Sequence, residues 1–179
     1  MLSVTFDVDH KVLERGVYLA KIDRVGNTAA ITLDIRLRRP YREEIMSAVE
    51  MHTFEHVYAT AIRTVMDPKA DADVIYFGPM GCNTGFYLIF GMEYATEEEL
   101  EEKVMRLPSY MLEAVDYLPK MPRVPAANEY QCGYCYTLGD MDLARRMGEE
   151  LGEVLQTVTK NGYSKYVRLT EEQCRALEA

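Results

Sequence analysis

Histidine occurs three times in this 179-residue chain, and two of the three, His52 and His56, stand four residues apart. They fall in REEIMSAVEMHTFEHVYATAIRTVM (42–66), a stretch of good helix formers with helical periodicity, which Pro68 bars from continuing. On a helix, side chains four apart stack on one face with Cβ atoms about 5–6 Å apart. The pair can therefore grip one ion, because imidazole is neutral enough near pH 7 to ligate. Glu55 lies at i+3 from His52, beside the pair, where it can reach a bound water or substrate without being a ligand. Two hydrogen-bonded histidines on a helix are the plainer alternative.

Two histidines do not complete a metal site. Cys132, in the loop QCGYC (131–135), is the best candidate for a third ligand. A thiolate with two imidazoles suits zinc or ferrous iron, and three protein ligands leave a position open for chemistry. Cys135 competes, since Cys132 and Cys135 form a CxxC that could also serve as a redox pair. A second cysteine feature is Cys82, at the tip of the glycine- and proline-rich turn in GPMGCNTGFYL (78–88). A cysteine held there is exposed and fixed, and becomes reactive if its pKa is lowered. The competing reading is a small buried hydrophobe between two strands.

The rest of the pattern supplies a scaffold. Residues 17–38 read as two strands around Gly26-Asn27, and 73–78 and 84–91 as buried strands. Helices are expected over 42–66, 97–116 and 140–158, the second opened by a capping box of Thr96 with Glu99. Residues 119–130 read as a proline-rich loop, and Thr170 with Gln173 predicts a cap before a short final helix. Helices and antiparallel strands mix without βαβ alternation. The fold class is therefore α+β: a single domain, with an antiparallel sheet packed against helices and the metal site on a central helix.

Composition excludes several classes. The net charge is −9 and no basic stripe offsets it, so nucleic acid is not an expected partner. The acidic runs at 96–103 and 148–153 read as solvated helix faces. No apolar run approaches the roughly 20 residues of a membrane span, and the N-terminus carries no secretory pattern. The expected location is the cytoplasm, where the four cysteines, Cys82, Cys132, Cys135 and Cys174, stay as thiols.

TFDVDH (5–10), DIR (34–36), HTFEH (52–56), GPMGCNTGFYL (78–88) and QCGYC (131–135), taken in order, resemble the LuxS family of S-ribosylhomocysteine lyases. The resemblance runs from about residue 3 to residue 158. It implies an iron- or zinc-dependent homodimer with active sites at the subunit interface. It also implies cleavage of S-ribosylhomocysteine to homocysteine and 4,5-dihydroxy-2,3-pentanedione, the precursor of the signal autoinducer-2. By motif position the ligands are His52, His56 and Cys132, and the acid/base residues are Glu55 and Cys82. Thr5, His10 and Arg36 fall on positions that line the substrate site. The chain departs from the family pattern at Thr5, Tyr41, Tyr76, Phe86 and Cys135, which are expected to alter the rim of that site. Residues 159–179 lie beyond the resemblance and are expected to form an extension packed on the body or on a dimer partner.

Two rival functions fit parts of the pattern. HTFEH also satisfies H-x-x-E-H, the inverted zinc-peptidase motif, in which Glu55 would activate water. A metal or redox module built on Cys132 and Cys135 would need no catalysis. Cys82 separates these from the lyase, because neither rival uses it.

Overall fold

The structure, a computed structural model, describes residues 6–69 and 71–177. Four strands form one antiparallel sheet in the order β1-β2-β4-β3. They are β1 (Gly16–Val25), β2 (Thr28–Arg36), β3 (Asp73–Pro79) and β4 (Gly85–Glu93). The β1–β2 hairpin closes over Gly26 and Asn27, with Gly26 at a φ of 62° that glycine adopts without strain. The helices are α1 (Ala48–Met66), α2 (Glu97–Tyr117), α3 (Met141–Asn161) and α4 (Glu171–Leu177). α1 packs on the sheet, and α2 and α3 pack on α1 and on each other. The α+β single-domain expectation is borne out, with the histidine pair on the helix between sheet and bundle.

Periodicity decides what each element buries. Along β2, Ile31, Leu33 and Ile35 point to one face of the sheet and Thr32, Asp34 and Arg36 to the other. The first set joins Phe86, Leu88 and Phe90 of β4 in the main core. α1 meets them with Phe54, Val57, Tyr58 and Ala61 at helical spacing. Phe54 stacks on Tyr58 at 5.2 Å and meets Phe86 edge-on at 5.4 Å. Full burial of each such ring is worth about 1.5–3 kcal/mol.

α1 starts later than its composition suggests. The helix-forming pattern begins at 42, but the helix begins at Ala48. Ser47 accepts from the Glu50 amide, and the Glu50 side chain accepts from the Ser47 amide, a complete capping box. The six residues before it are held elsewhere. Glu43 pairs with Arg15 and Arg39, and the Met46 amide donates to the Asn83 carbonyl. At α2, Thr96 accepts from the Glu99 amide as expected, but the Glu99 carboxylate reaches past it to the Ala95 amide. Pro108 lies inside α2 on its buried side without ending it. Thr170 and Gln173 form the reciprocal cap their spacing predicts.

α3 runs on past 158 to Asn161, and Gly162 closes it at a φ of 82°. Residues 163–170 then return as a strap along β1 and the N-terminal segment. The Ser164 amide donates to Val17, the Asp9 amide to Val167, and the Leu169 amide to Asp7. Val8, Leu13 and Tyr18, with Tyr166 of the strap against them, make a second apolar cluster apart from the main core.

Gly85 marks where the sheet and the Cys82 turn meet. It pairs with Arg36 across β2–β4, and a Cβ there would lie 1.9 Å from the Ile35 carbonyl oxygen. Gly85→Ala is expected to destabilise the protein by about 2 kcal/mol or more, because a backbone atom must move. Urea unfolding monitored by circular dichroism measures the loss.

Candidate metal centre and proton-transfer groups

One ligand atom from each of His52, His56 and Cys132 lies within 4.8 Å of the other two. The rings of His52 and His56 sit 4.7 Å apart, as their i, i+4 spacing predicts. Cys132 comes from a loop 80 residues away, and its Sγ lies 3.4 Å from His52 Nε2. Bonds of about 2.3 Å to sulfur and 2.0–2.1 Å to nitrogen at tetrahedral angles put such atoms about 3.5 Å apart.

The hydrogen bonds behind the rings set their tautomers. His56 Nδ1 lies 2.8 Å from the Pro125 carbonyl, which can only accept, so Nδ1 carries the proton and Nε2 keeps its lone pair. His52 Nδ1 lies 2.6 Å from Thr137 Oγ1, and that hydroxyl donates onward to the Tyr134 carbonyl. It therefore accepts from His52, which again leaves Nε2 free. Outer contacts of this kind orient metal-binding histidines. Burial, then the neighbouring His56, holds the His52 imidazole below its ordinary range. The donor set and its tautomers fit a divalent ion.

The ligand loop is tied to α1 at a third point. Thr53 is fully buried, and its hydroxyl accepts from the Gly139 amide and donates to the Val49 carbonyl. Thr53, Pro125 and Thr137 were missed by sequence reasoning. Thr53 stood inside the motif, but its partner lies 86 residues away. Cys135, the other half of the CxxC, is half-buried and outside the ligand group.

Glu55 is half-buried on the flank of α1, and its carboxyl makes no hydrogen bond among the described residues. Burial pushes its carboxyl above the ordinary range, against a smaller opposing pull from His56. A carboxyl raised above its ordinary range beside a metal group is suited to proton transfer.

Cys82 sits on the exposed side of its turn, next to Asn83, whose φ of 56° reverses the chain. Arg36, only 2% exposed, reaches it from β2. Arg36 Nη1 donates to Thr84 Oγ1 at 2.7 Å and approaches Cys82 Sγ at 3.6 Å. Thr84 Oγ1 lies 3.1 Å from the same sulfur. Burial by itself pushes the Cys82 thiol up, but the Thr84 hydrogen bonds and the Arg36 charge outweigh it, so the thiol lies below its ordinary range. Thr84 and Asp34 escaped sequence reasoning, although the i, i+2 spacing of Asp34 and Arg36 put both on one strand face.

The remaining expected residues are scattered. His10 bonds through Nδ1 to the Val8 carbonyl and lines a cavity of about 490 Å³ with Tyr41, Leu169 and Gln173. Thr5 lies outside the described residues. Phe86 is not a rim residue: it is fully buried and stacks on Phe77 at 5.0 Å. Among the described residues, no hydrogen bond joins the Cys82–Arg36 cluster to the His52–His56–Cys132 group.

Comparison with known proteins agrees with this geometry. The family profile described as S-Ribosylhomocysteinase (LuxS) matches residues 4–161. A relative from Clostridium beijerinckii named S-ribosylhomocysteine lyase is 35% identical, over 87% of this chain and 92% of its own. A protein of the same name from Desulfotalea psychrophila is 32% identical over 89% of this chain and 95% of its own. One from Porphyromonas gingivalis is 32% identical over 87% and 92%. None of the described helices is long and apolar enough to cross a membrane. With the ligand triad on α1 and its loop, and Cys82 on its turn, the match covers every motif of the site, and this chain belongs to the S-ribosylhomocysteinase (LuxS) family.

Proposed function

We propose that the chain cleaves the thioether of S-ribosylhomocysteine to homocysteine and 4,5-dihydroxy-2,3-pentanedione, acting on a small-molecule substrate as a carbon–sulfur lyase. The observation that carries this reading is the His52–His56–Cys132 group, within 4.8 Å and with both Nε2 atoms free, in a chain of this family. The peptidase reading loses its support, because the family match spans Cys82 and its turn, which a peptidase does not use.

The thioether breaks only after the sugar carbonyl has moved. A proton leaves the carbon beside the carbonyl, an enediol forms, and a proton returns to give the isomeric ketone. After two such shifts the carbonyl stands β to sulfur. Removal of the proton between them then expels the thiolate with the electron pair of the C–S bond. A divalent ion held by His52, His56 and Cys132, iron(II) or zinc, supplies Lewis-acid polarisation of the substrate oxygens when bound. Cys82 Sγ, as the thiolate that Arg36 and Thr84 favour, takes and returns a carbon-bound proton. The Glu55 carboxyl, held above its ordinary range, moves protons at the substrate oxygens and at the departing sulfur. Arg36 lies behind Cys82, and by motif position Arg36, His10 and Thr5 are assigned to substrate binding.

The working unit is a homodimer with its sites at the interface. Large apolar side chains stand exposed on the ligand loop and before and at the start of α1, with Tyr130 at 99% and Tyr41 at 85%, joined by Tyr134, Tyr136, Ile45 and Val49. Exposed apolar side chains in this number suit a protein partner. Residues 1–158 carry the catalytic unit and 159–179 form an extension. The four free cysteines suit the reducing cytoplasm.

The test uses protein purified without oxygen and loaded with ferrous iron, incubated with S-ribosylhomocysteine while free thiol is followed. Steady thiol release is expected. Protein that carries a full equivalent of metal and releases none would sink the assignment.

A further inference from the structure

The strap formed by residues 163–170 lies beyond the family match, yet it enters the Cys82 cluster. The Tyr166 hydroxyl donates to Asp34 Oδ2 at 2.9 Å. Asp34 is 1% exposed and holds the Arg36 fork on both oxygens, Nε to Oδ1 at 2.7 Å and Nη2 to Oδ2 at 2.9 Å. The third nitrogen of that fork, Nη1, faces Thr84 and Cys82. A continuous chain of contacts thus runs from the strap to the reactive sulfur.

We propose that Tyr166 is a positioning residue: through Asp34 it sets where the Arg36 guanidinium lies against Cys82, so the C-terminal strap is a working part of the proton-transfer site. The proposal rests on reading Cys82 as a proton-transfer group.

The surroundings support a donor at this place. The Tyr166 ring stacks on Tyr18 of β1 at 4.5 Å, nearly parallel at 12°, and the Arg168 guanidinium lies over it at 5.1 Å. Ring and hydroxyl are therefore held from β1 and from the strap together. Burial and the Asp34 charge push the Tyr166 hydroxyl well above the ordinary tyrosine range, so it stays protonated and donates. The charged and titratable groups around the chain of contacts are Asp34 and Arg36 on β2, Tyr87 on β4 paired across from Asp34, Tyr18 on β1, and Arg168 with its partner Asp7. Among the described residues, Oδ2 accepts from Tyr166 and from Arg36 itself.

The direction of the effect follows. With the Tyr166 hydroxyl in place, part of the Asp34 charge is engaged away from Arg36. Without it, Asp34 draws the guanidinium more strongly, and less positive charge reaches Cys82. The thiolate is then less favoured, and the pH needed to form it rises.

Tyr166→Phe keeps the stacked ring and removes only the hydroxyl. Metal-loaded full-length protein is alkylated with iodoacetamide across a pH series, and the Cys82 peptide is followed by mass spectrometry. The half-point is expected to rise by about 0.5–1 pH in Tyr166→Phe. Thiol release from S-ribosylhomocysteine at neutral pH is expected to fall by about 3–10-fold. Tyr163→Phe is the control. It removes another strap hydroxyl, which donates to the Val104 carbonyl, and is expected to lower Tm without moving the Cys82 half-point. An unchanged half-point in Tyr166→Phe, or an equal shift in Tyr163→Phe, overturns the proposal. Wild-type protein that releases no thiol would overturn the lyase reading instead, while the alkylation result would still decide whether the strap reaches Cys82.

Discussion

Cys82→Ala is expected to lower thiol release by about 10²–10⁴-fold while metal content and folding stay at wild-type levels. The substitution removes one sulfur from the exposed side of a turn. The turn is held by its own backbone, with the Met80 amide on the Gly85 carbonyl and the Asn83 amide on the Met80 carbonyl, each at 3.0 Å. Arg36 keeps Asp34 and Thr84, so no buried charge is stranded. Stability should barely change, and lost activity then reports lost proton transfer. Cys82→Ser is expected to recover little, because a serine hydroxyl does not ionise near neutral pH. The pH dependence has a definite sign. Arg36 and Thr84 lower the Cys82 thiol, so the thiolate is present above that lowered value and is lost as pH falls through it. The acid limb of the rate profile should therefore lie below the pH at which a free cysteine ionises, roughly 8.5. Thiol-release assays across pH, with metal analysis and circular dichroism on each variant, measure all of this. Unchanged activity in Cys82→Ala would remove Cys82 from the mechanism.

Metal removal should cost both activity and stability. The ligands join α1 to a loop that is otherwise held to it at Thr53, Pro125 and Thr137. An ion that binds only the folded chain stabilises it by about 2.7 kcal/mol at a hundredfold excess over its Kd. For a chain of this size that corresponds to about 5–10 °C in Tm. Chelation is therefore expected to lower Tm by about that much and to abolish thiol release, and iron(II) or zinc should restore both. His56→Ala should behave like the stripped protein and resist restoration, since it also leaves the Pro125 carbonyl without its donor. Calorimetry and thiol release before and after reconstitution test this. Full activity in protein shown by elemental analysis to hold no metal would overturn the site.

The sequence by itself determined the features that depend on neighbours along the chain. Helical spacing put His52, Glu55 and His56 on one flank of α1, and strand alternation put Asp34 and Arg36 on the same face of β2. Glycine and proline punctuation located the Cys82 turn, and the Thr170–Gln173 spacing located the last cap. Where two local signals competed, pattern alone chose wrongly. Helix formers ran from 42, but the Ser47–Glu50 box, the Glu43 ion pairs and the pull of Asn83 on Met46 moved the start of α1 to 48.

Only the tertiary structure decided contacts between residues far apart in sequence. It brought Cys132 to His52 across 80 residues, set both histidine tautomers through Pro125 and Thr137, and took Phe86 out of the rim and into the core. It also laid Tyr166 on Asp34 across 132 residues. The physical reason is the same in each case. Propensity and periodicity act within a turn or two of the backbone, whereas these pairings form only when burial of the shared core brings distant segments together.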